Sequence, residues 1–147
     1  LDHVIEIMQT SNPEIKINKR NSVEQKIYGD EMRLEQVVIN FFTNAIKYAP
    51  DSHQIEIKSE LRGEELYFGV RDFGIGMSEE HRKKVFEKFY RIEETSSRFQ
   101  GLGIGLYICQ EIIDRHDGTI GVDSIENEGS EFYFTLPLHP TVDENNQ

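Results

Sequence analysis

Alternating apolar and polar residues predict several short β-strands along the chain. Three stretches alternate clearly and two more fit a strand; in chain order they are residues 14–19, 54–58, 66–70, 119–123 and 131–136. Residues 62–64 separate the second stretch from the third and contain a glycine, which is typical of a hairpin turn. Residues 126–129 connect the last two stretches.

Apolar positions three and four residues apart predict three helices. The first begins after Asp30, a good N-cap, and ends near Tyr48, just before a proline. The second begins at Ser78, where two glutamates follow and suit the positive start of a helix, and its apolar face is expected to consist of Val85, Phe86 and Phe89. The third covers residues 103–116 and ends where an Asp-Gly pair follows.

The predicted order of elements is strand, strand, helix, strand, strand, helix, helix, strand, strand, in which one of the two strands before the first helix has no stretch of residues assigned to it. Strands that come in pairs favour a two-layer α+β sandwich, with a mixed sheet against about three helices, over a doubly wound sheet. Residues 1–11 have apolar positions at helical spacing and are predicted to end a linker or helix from a preceding domain. Residues 90–100 are predicted to form a functional loop, and residues 139–147 a disordered tail.

The charge and composition exclude several kinds of function. The 147 residues include 16 basic and 27 acidic side chains, and the net charge of −11 argues against nucleic-acid binding. No run approaches the roughly 20 apolar residues of a transmembrane helix, and no signal peptide is evident, so we expect a cytoplasmic segment without membrane contact. One cysteine, Cys109, and five scattered histidines predict neither a disulfide framework nor a zinc site.

Three polar residues form an unusual stripe on the first predicted helix. Asn40, Asn44 and Lys47 are four and three residues apart, so they lie on one narrow face. Asparagine is a poor helix former, and two aligned asparagines are therefore uncommon on an exposed face. The stripe predicts amide oxygens for a hard cation beside an ammonium for phosphate, with an ordinary solvated face as the alternative.

Two glycine-containing segments point to a ligand site. Asp72 follows a strand and precedes Gly74 and Gly76, so its carboxylate lies beside backbone that a flat ligand can approach. The alternative is a turn in which Asp72 bonds its own backbone. Residues 101–106 contain three glycines before the third helix, whose free N–H groups and dipole attract an anion. Leu106 takes the place of the third glycine of a dinucleotide fingerprint, and no Gly-Lys-Ser/Thr phosphate loop is present.

Basic residues surround the predicted loop. Six of the 16 basic side chains lie within residues 82–98. Arg91 and Arg98 flank the loop and are the better candidates for phosphate contacts. The basic residues of the second predicted helix fit a solvated helix face instead.

Four segments resemble, in order and spacing, the sequence boxes of sensor histidine kinases. Residues 40–48 resemble the N box, residues 72–76 the first glycine box, residues 86–91 the F box and residues 101–106 the second glycine box. The resemblance covers residues 12–138 and implies an ATP-binding catalytic domain. It also implies the Bergerat-type fold shared with gyrase-like ATPases and heat-shock chaperones, in which ATP lies under a mobile lid.

The resemblance assigns roles at the phosphate end of the site. Asn44 would coordinate Mg²⁺, with Asn40 as a second candidate, and Lys47 would contact phosphate oxygens. Arg91 would reach the γ-phosphate, and Arg98 is similar to a second lid arginine of some members. Asn40, Lys47 and Arg91 are the catalytic candidates.

At the base end, the resemblance implies that Asp72 accepts a hydrogen bond from the adenine amino group while Tyr48 lies against the ring. Phe86 and Phe89 would anchor the base of the lid. The other ATP-binding residues that it implies are Gly74, Ile75, Gly76, Tyr90, Gly101, Leu102, Gly103, Ile104, Gly105 and Leu106.

The residue at position 40 distinguishes ATP hydrolysis from phosphoryl transfer to histidine among proteins with this fold. Hydrolysing members carry a glutamate four residues before the Mg²⁺-binding asparagine, as general base for water, whereas Asn40 cannot take a proton. This difference favours transfer to histidine over hydrolysis. A hydrolysing ATPase and a non-catalytic nucleotide-sensing module are the alternatives, and the intact boxes count against the second.

None of the five histidines has the context of the family's acceptor box. His116, at the end of the third helix, fits a structural cap better than a chemical role. We therefore expect the acceptor histidine on a separate dimerisation domain, with a response regulator as the next acceptor. The parent protein is expected to be a homodimer. Whether that parent protein has a membrane anchor is left open by the sequence.

Overall fold

One mixed sheet organises the structure, a computed structural model that describes residues 2–20, 29–49, 53–88 and 105–139. The strands in these ranges are β1 (Lys16–Arg20), β2 (Gln54–Arg62), β3 (Glu65–Asp72), β4 (Thr119–Ile125) and β5 (Gly129–Pro137). Across the sheet they follow the order β1-β2-β3-β5-β4. β1 is parallel to β2, and the other neighbours are antiparallel.

Helices cover one face of the sheet. Over the described residues they are α1 (Asp2–Ser11), α2 (Glu31–Tyr48), α3 (Glu79–Lys84) and α4 (Gly105–Arg115). α2 contacts both β3 and α4, while α4 contacts β4 and α1 contacts α2. Alternate strand residues face these helices, and the core between the layers contains Phe41 of α2, Phe68 of β3 and Phe132 of β5. The predicted two-layer α+β sandwich is confirmed.

The helix ends follow from capping chemistry at the predicted positions. Asp30 is the N-cap of α2, and its carboxylate accepts a hydrogen bond from the Arg33 N–H. Ser78 caps α3 in the same way through the His81 N–H. α4 ends at Arg115, one residue before the predicted end; its predicted start at residues 103–104 lies outside the described ranges.

One expectation about the elements needs correction, one is extended and one falls partly outside the description. α3 ends at Lys84, so Val85 and Phe86 follow the helix instead of lining it, although both still pack into or against the core. α1 lies within residues 1–11, where helical spacing was expected, and its Val4 is buried in the same core as residues of α2 and α4. Before α2 the described residues form one strand where two were predicted, and residues 21–28 lie outside the description.

His116 joins the start of α2 to the end of α4. Its Nε2 accepts a hydrogen bond from the Asp30 N–H at 2.9 Å, so its Nδ1 carries the proton and donates to the Ile112 carbonyl at 2.7 Å. The ring therefore fastens together the two helices that cover the sheet, and the predicted structural role of His116 is confirmed. No helix in the described ranges is long and apolar enough to span a bilayer.

Candidate functional site

Asp72 is the last residue of β3, and its side chain is fully buried. Its Oδ1 atom accepts hydrogen bonds from the Gly74 N–H at 3.0 Å and the Ser130 N–H at 3.3 Å. Its Oδ2 atom is buried and has no hydrogen-bond partner among the described residues. Nearly all buried polar atoms are partnered, so Oδ2 is an acceptor suited to a donor group on a ligand.

The geometry of Asp72 agrees with both roles that the sequence left open, a turn residue that bonds its own backbone and a ligand-binding residue. The hydrogen bond from Gly74 is the local turn bond that a purely structural aspartate would form. That bond uses only Oδ1, and it fixes the carboxylate so that Oδ2 keeps one orientation. The turn therefore supports a binding role for Asp72 and does not replace it.

The environment of Asp72 resists its ionisation. Burial raises the pKa of Asp72 from 3.8 to about 6, and it outweighs the N–H donors of Gly74 and Ser130 and the charge of Arg71, which lower the pKa. The carboxylate is thus ionised at pH 7 at a cost in folding free energy. A ligand that donates a hydrogen bond to Oδ2 would offset part of this cost.

We expect Asp72→Asn to stabilise the protein at pH 7.5 and to leave its stability unchanged near pH 4. A carboxyl whose pKa is raised on folding binds its proton more tightly in the native state, so stability falls as the pH rises from about 3.8 to about 6. The lost free energy of unfolding amounts to about 3 kcal/mol. The amide of the variant keeps an Oδ1 acceptor and does not titrate.

Thermal melts at the two pH values measure this difference. Asp123→Asn removes an equal charge at an exposed position of β4 and serves as the control. If Asp72→Asn melted at or below the wild-type temperature at pH 7.5, the electrostatic description of this site would be wrong.

The loop after Asp72 is held against the turn between β4 and β5. The Met77 N–H donates to the Ser124 hydroxyl at 2.7 Å, and the Asn127 N–H donates to the Ile75 carbonyl at 2.6 Å. The Ser124 hydroxyl also lies 2.7 Å from that of Ser130. The segment that carries the first glycine box is therefore fixed by a part of the chain about 50 residues away.

Gly76 is required by this contact. Its φ is 65°, in the left-handed region, and a Cβ atom at this position would lie 2.1 Å from the Ile125 carbonyl oxygen. The sequence suggested that this position is glycine so that a ligand can approach closely. The contact with Ile125 explains the glycine without that reason. Ile75, in contrast, is 40% exposed beside Asp72 and can contact a ligand.

Sequence reasoning missed Ser124, Gly129 and Ser130. Ser130 donates to Asp72, Ser124 holds the loop, and a Cβ on Gly129 would lie 2.2 Å from the Asp72 carbonyl oxygen. The one sequence signal near these residues is the predicted turn at residues 126–129. It indicates a tight connection between two strands but does not indicate that this turn packs against the loop after Asp72.

The polar stripe of α2 is half-buried. Asn40, Asn44 and Lys47 are neither fully exposed nor enclosed. A purely solvated face, the alternative that the sequence left open, would be exposed. Tyr48 closes the helix, and its side chain lies outside the description.

Asn40 connects this stripe to the second glycine box. Its Oδ1 lies 3.2 Å from the point that a Cβ atom on Gly105, the first residue of α4, would occupy. Cys109, one turn further along α4, is fully buried. Leu106, between them, is buried in the core.

The structure thus brings Asn40 to Gly105 and Asp72 to Gly74, and α2 contacts the elements that carry both pairs. The remaining predicted residues lie outside the described ranges, together with the predicted lid: Phe89, Tyr90, Arg91, Arg98, Gly101, Leu102, Gly103 and Ile104. Their assignments stay predictions. Phe86, just before them, packs edge-on to Phe132 with ring centroids 6.5 Å apart.

Comparison with known proteins identifies the family. A family model described as the histidine kinase-, DNA gyrase B- and HSP90-like ATPase matches residues 29–140. The adaptive-response sensory kinase SasA of Nostoc sp. is 41% identical over 116 residues, which are 78% of this chain and 29% of that protein. The sensor histidine kinase WalK of Bacillus subtilis is 37% identical over 80% of this chain and 20% of its own length. The chain therefore spans less than a third of these relatives.

Solved structures agree with this assignment. The mycobacterial sensor histidine kinase MprB shares the fold, with a TM-score of 0.84 over 95% of this chain and 94% of that chain at 24% identity. The catalytic domain of the histidine kinase ThkA gives 0.75 at 28% identity, over 94% and 92% of the two chains. Full-length ShkA in complex with AMPPNP gives 0.80 at 27% identity, over 97% of this chain and 30% of that one. The chain belongs to the histidine kinase-, DNA gyrase B- and HSP90-like ATPase family, as an ATP-binding catalytic domain of the sensor histidine kinase type.

Proposed function

We propose that this domain transfers the γ-phosphoryl group of Mg-ATP to a histidine on a separate helical dimerisation domain of a homodimeric, cytoplasmically active kinase. A response-regulator aspartate then receives the group. The observation that carries the choice of transfer over hydrolysis is Asn40, a neutral amide on α2 whose side chain lies beside the first residue of α4. Water needs a general base at this point, whereas a histidine acceptor supplies its own nucleophilic nitrogen.

The adenine end of the proposed site is preorganised. Asp72 Oδ2 would accept a hydrogen bond from the adenine amino group, and the exposed Ile75 would contact the ring. The hydrogen bonds between the loop and the β4–β5 turn keep these groups in place before ATP binds. Little conformational entropy is then lost on binding, which favours affinity.

The phosphate end lies where α2 meets α4. The N-terminal end of α4, a helix of 11 described residues, carries the positive end of the helix dipole, which suits a phosphate. Lys47 would supply an ammonium from the polar stripe of α2. Arg91 and Arg98 would add charge from the lid.

The donors on α2 fit Mg²⁺. Amide oxygens of Asn44 and Asn40 are hard ligands, and Mg²⁺ keeps several waters and binds substrate phosphates, so one or two protein ligands suffice. The described part of the chain contains no cluster of three His, Cys, Asp or Glu side chains that would form a complete metal site of its own. When bound, the ion would neutralise charge that develops on the phosphates.

We expect Asn44→Ala to reduce the gain in ATP affinity that Mg²⁺ provides by about tenfold or more, because a direct ligand is lost. Asn44→Asp should also bind Mg-ATP less well than the wild type, since its negative charge faces the triphosphate. Displacement of a fluorescent nucleotide by ATP, with and without Mg²⁺, measures both effects.

Thr43→Ala is the matched control, because Thr43 is also half-buried on α2 and bonds only the helix backbone in the described contacts. It should leave the effect of Mg²⁺ unchanged. An unaltered effect of Mg²⁺ in both Asn44 variants would remove Asn44 from the site.

A further inference from the structure

A row of polar side chains crosses three strands on the core face of the sheet, beside the loop that follows β3. Asp72 of β3 pairs with Ser130 of β5, and Ser130 pairs with Ser124 of β4. Two residues away along each strand, the same face carries the buried apolar residues Val70, Phe132 and Val122. Because buried polar atoms need partners, the hydrogen bonds within the polar row decide which of its atoms stays available to a ligand.

The Ser124 hydroxyl is the centre of these bonds. It lies within hydrogen-bonding distance of the Met77 N–H at 2.7 Å, the Ser130 hydroxyl at 2.7 Å and the Gly129 carbonyl at 3.1 Å. An N–H can only donate and a carbonyl can only accept, whereas a hydroxyl has one proton and two acceptor positions. Ser124 therefore accepts from Met77 and donates to Gly129. All three bonds form together only if Ser130 donates its proton to Ser124.

The direction of the Ser130 proton affects Asp72. These two residues lie opposite each other on neighbouring antiparallel strands, where Cβ atoms are about 4.5–5.5 Å apart. A Ser130 hydroxyl without another acceptor can rotate about χ1 and donate to Asp72 Oδ2, the buried atom that has no partner among the described residues. The bond to Ser124 directs this proton toward β4 instead, and Oδ2 stays open.

We propose that Ser124 is a positioning residue of the base end of the site, which binds the proton of the Ser130 hydroxyl and so keeps Asp72 Oδ2 free to accept from a nucleobase amino group. The proposal rests on the proposed function, in which adenine supplies that group. Ser124 does not touch the nucleotide and acts through Ser130. Its bond to the Met77 N–H also keeps the loop after Asp72 against the β4–β5 turn.

The first measurement is the titration of Asp72 in the protein without nucleotide or metal. The carboxyl ¹³C signal of Asp72, assigned by its loss in Asp72→Asn, gives the pKa. In the wild type we expect the raised pKa of about 6. In Ser124→Ala the released Ser130 hydroxyl donates to Oδ2 and stabilises the carboxylate, so the pKa of Asp72 should fall by about 1. The charge of Arg71, which also acts on Asp72, is the same in all variants.

A double variant separates this effect from a general loosening of the loop. Ser124→Ala combined with Ser130→Ala has no serine hydroxyl left in the polar row, so the pKa of Asp72 should equal that in Ser130→Ala alone. Loosening would instead admit water to Asp72 and lower its pKa in both backgrounds. Ser124→Thr keeps a hydroxyl and should keep the wild-type pKa. Ser59→Ala, the matched control, removes a buried serine hydroxyl from the same face of the sheet on β2 and should also keep it.

ATP affinity, measured by displacement of a fluorescent nucleotide, gives the functional readout. We expect Ser124→Ala to weaken ATP binding about tenfold in the wild-type background, because ATP must then displace the Ser130 hydroxyl from a charged acceptor. In the Ser130→Ala background the same substitution should cost less than about threefold, because no competing hydroxyl is present. Ser124→Thr and Ser59→Ala should retain the affinity.

The proposal is overturned if Ser124→Ala leaves the pKa of Asp72 unchanged, or if the pKa or the ATP affinity falls equally with and without the Ser130 hydroxyl. Asp72→Asn shows which level has failed. If it weakens ATP binding while Ser124→Ala does not, control of Oδ2 by Ser124 is wrong and adenine recognition by Asp72 stands. If neither variant weakens ATP binding, the adenine role assigned to Asp72 in the proposed function is itself wrong.

Discussion

Asp72→Asn is expected to collapse the preference of the domain for ATP over GTP, from roughly 100-fold in the wild type to less than about tenfold. The ionised Oδ2 accepts from the adenine amino group, whereas guanine presents an acceptor oxygen at the same place. Two opposed acceptors leave a buried carboxylate unpaired, which costs more than a missing contact. An amide can place its NH₂ group where Oδ2 lies and donate to guanine.

The structure makes this variant a clean test. Both hydrogen bonds that Asp72 receives, from Gly74 and Ser130, end on Oδ1, which the asparagine retains as its carbonyl oxygen. The loop should therefore keep its conformation. Competitive displacement of a fluorescent nucleotide by ATP and GTP gives the ratio, with Asp123→Asn as a control of equal charge. Equal affinity of the wild type for both nucleotides would show that Oδ2 does not recognise the base.

Gly76→Ala should lower the free energy of unfolding by about 3 kcal/mol or more and weaken ATP binding as well. Two effects destabilise the variant. A residue with a Cβ atom is strained at the left-handed φ of 65°, and that Cβ atom would lie only 2.1 Å from the Ile125 carbonyl oxygen. Because the clash is with backbone, no side-chain rotation relieves it. The loop must separate from the β4–β5 turn, and Asp72 then loses the support of that turn.

Gly63 provides the matched control for the steric part. It has almost the same φ, 64°, in the β2–β3 hairpin, but no atom lies within 4 Å of its added Cβ. We expect Gly63→Ala to cost about 1 kcal/mol and to leave ATP affinity unchanged. Denaturant unfolding of both variants gives the two costs. Similar values would mean that the packing of the loop on the turn contributes little.

Patterns confined to a short segment were predictable from the sequence. The N-cap at Asp30 and the hairpin at Gly63 are local features, and both occur as expected. The four boxes were sufficient to indicate the family, and the predicted fold and ATP-binding catalytic function are confirmed.

Contacts between distant segments were not predictable in this way. Asp72 and Ser130 are 58 residues apart, and nothing local in either segment indicates that they meet. The same is true of Gly76, whose need for glycine comes from Ile125. The packing of α1 into the core was not predicted for a related reason, because it depends on the surface that α2 presents to α1.

The roles of Lys47, Arg91 and the glycine box remain predictions, because they depend on where the phosphates lie. The described geometry supports them through the packing of α2 against α4, which brings the side chain of Asn40 beside Gly105, the first described residue of α4. The choice between a kinase and a hydrolysing ATPase depends on position 40 more than on any other residue.

Phosphoryl transfer to a second domain tests the central claim most directly. The purified chain is incubated with Mg-ATP labelled in the γ-phosphate, alone and with a helical domain that carries an acceptor histidine box from a relative. We predict acid-labile label on the histidine of the helical domain, no label on this chain, and little release of free phosphate. Label on a histidine of this chain, or rapid phosphate release without label on the helical domain, would contradict the account.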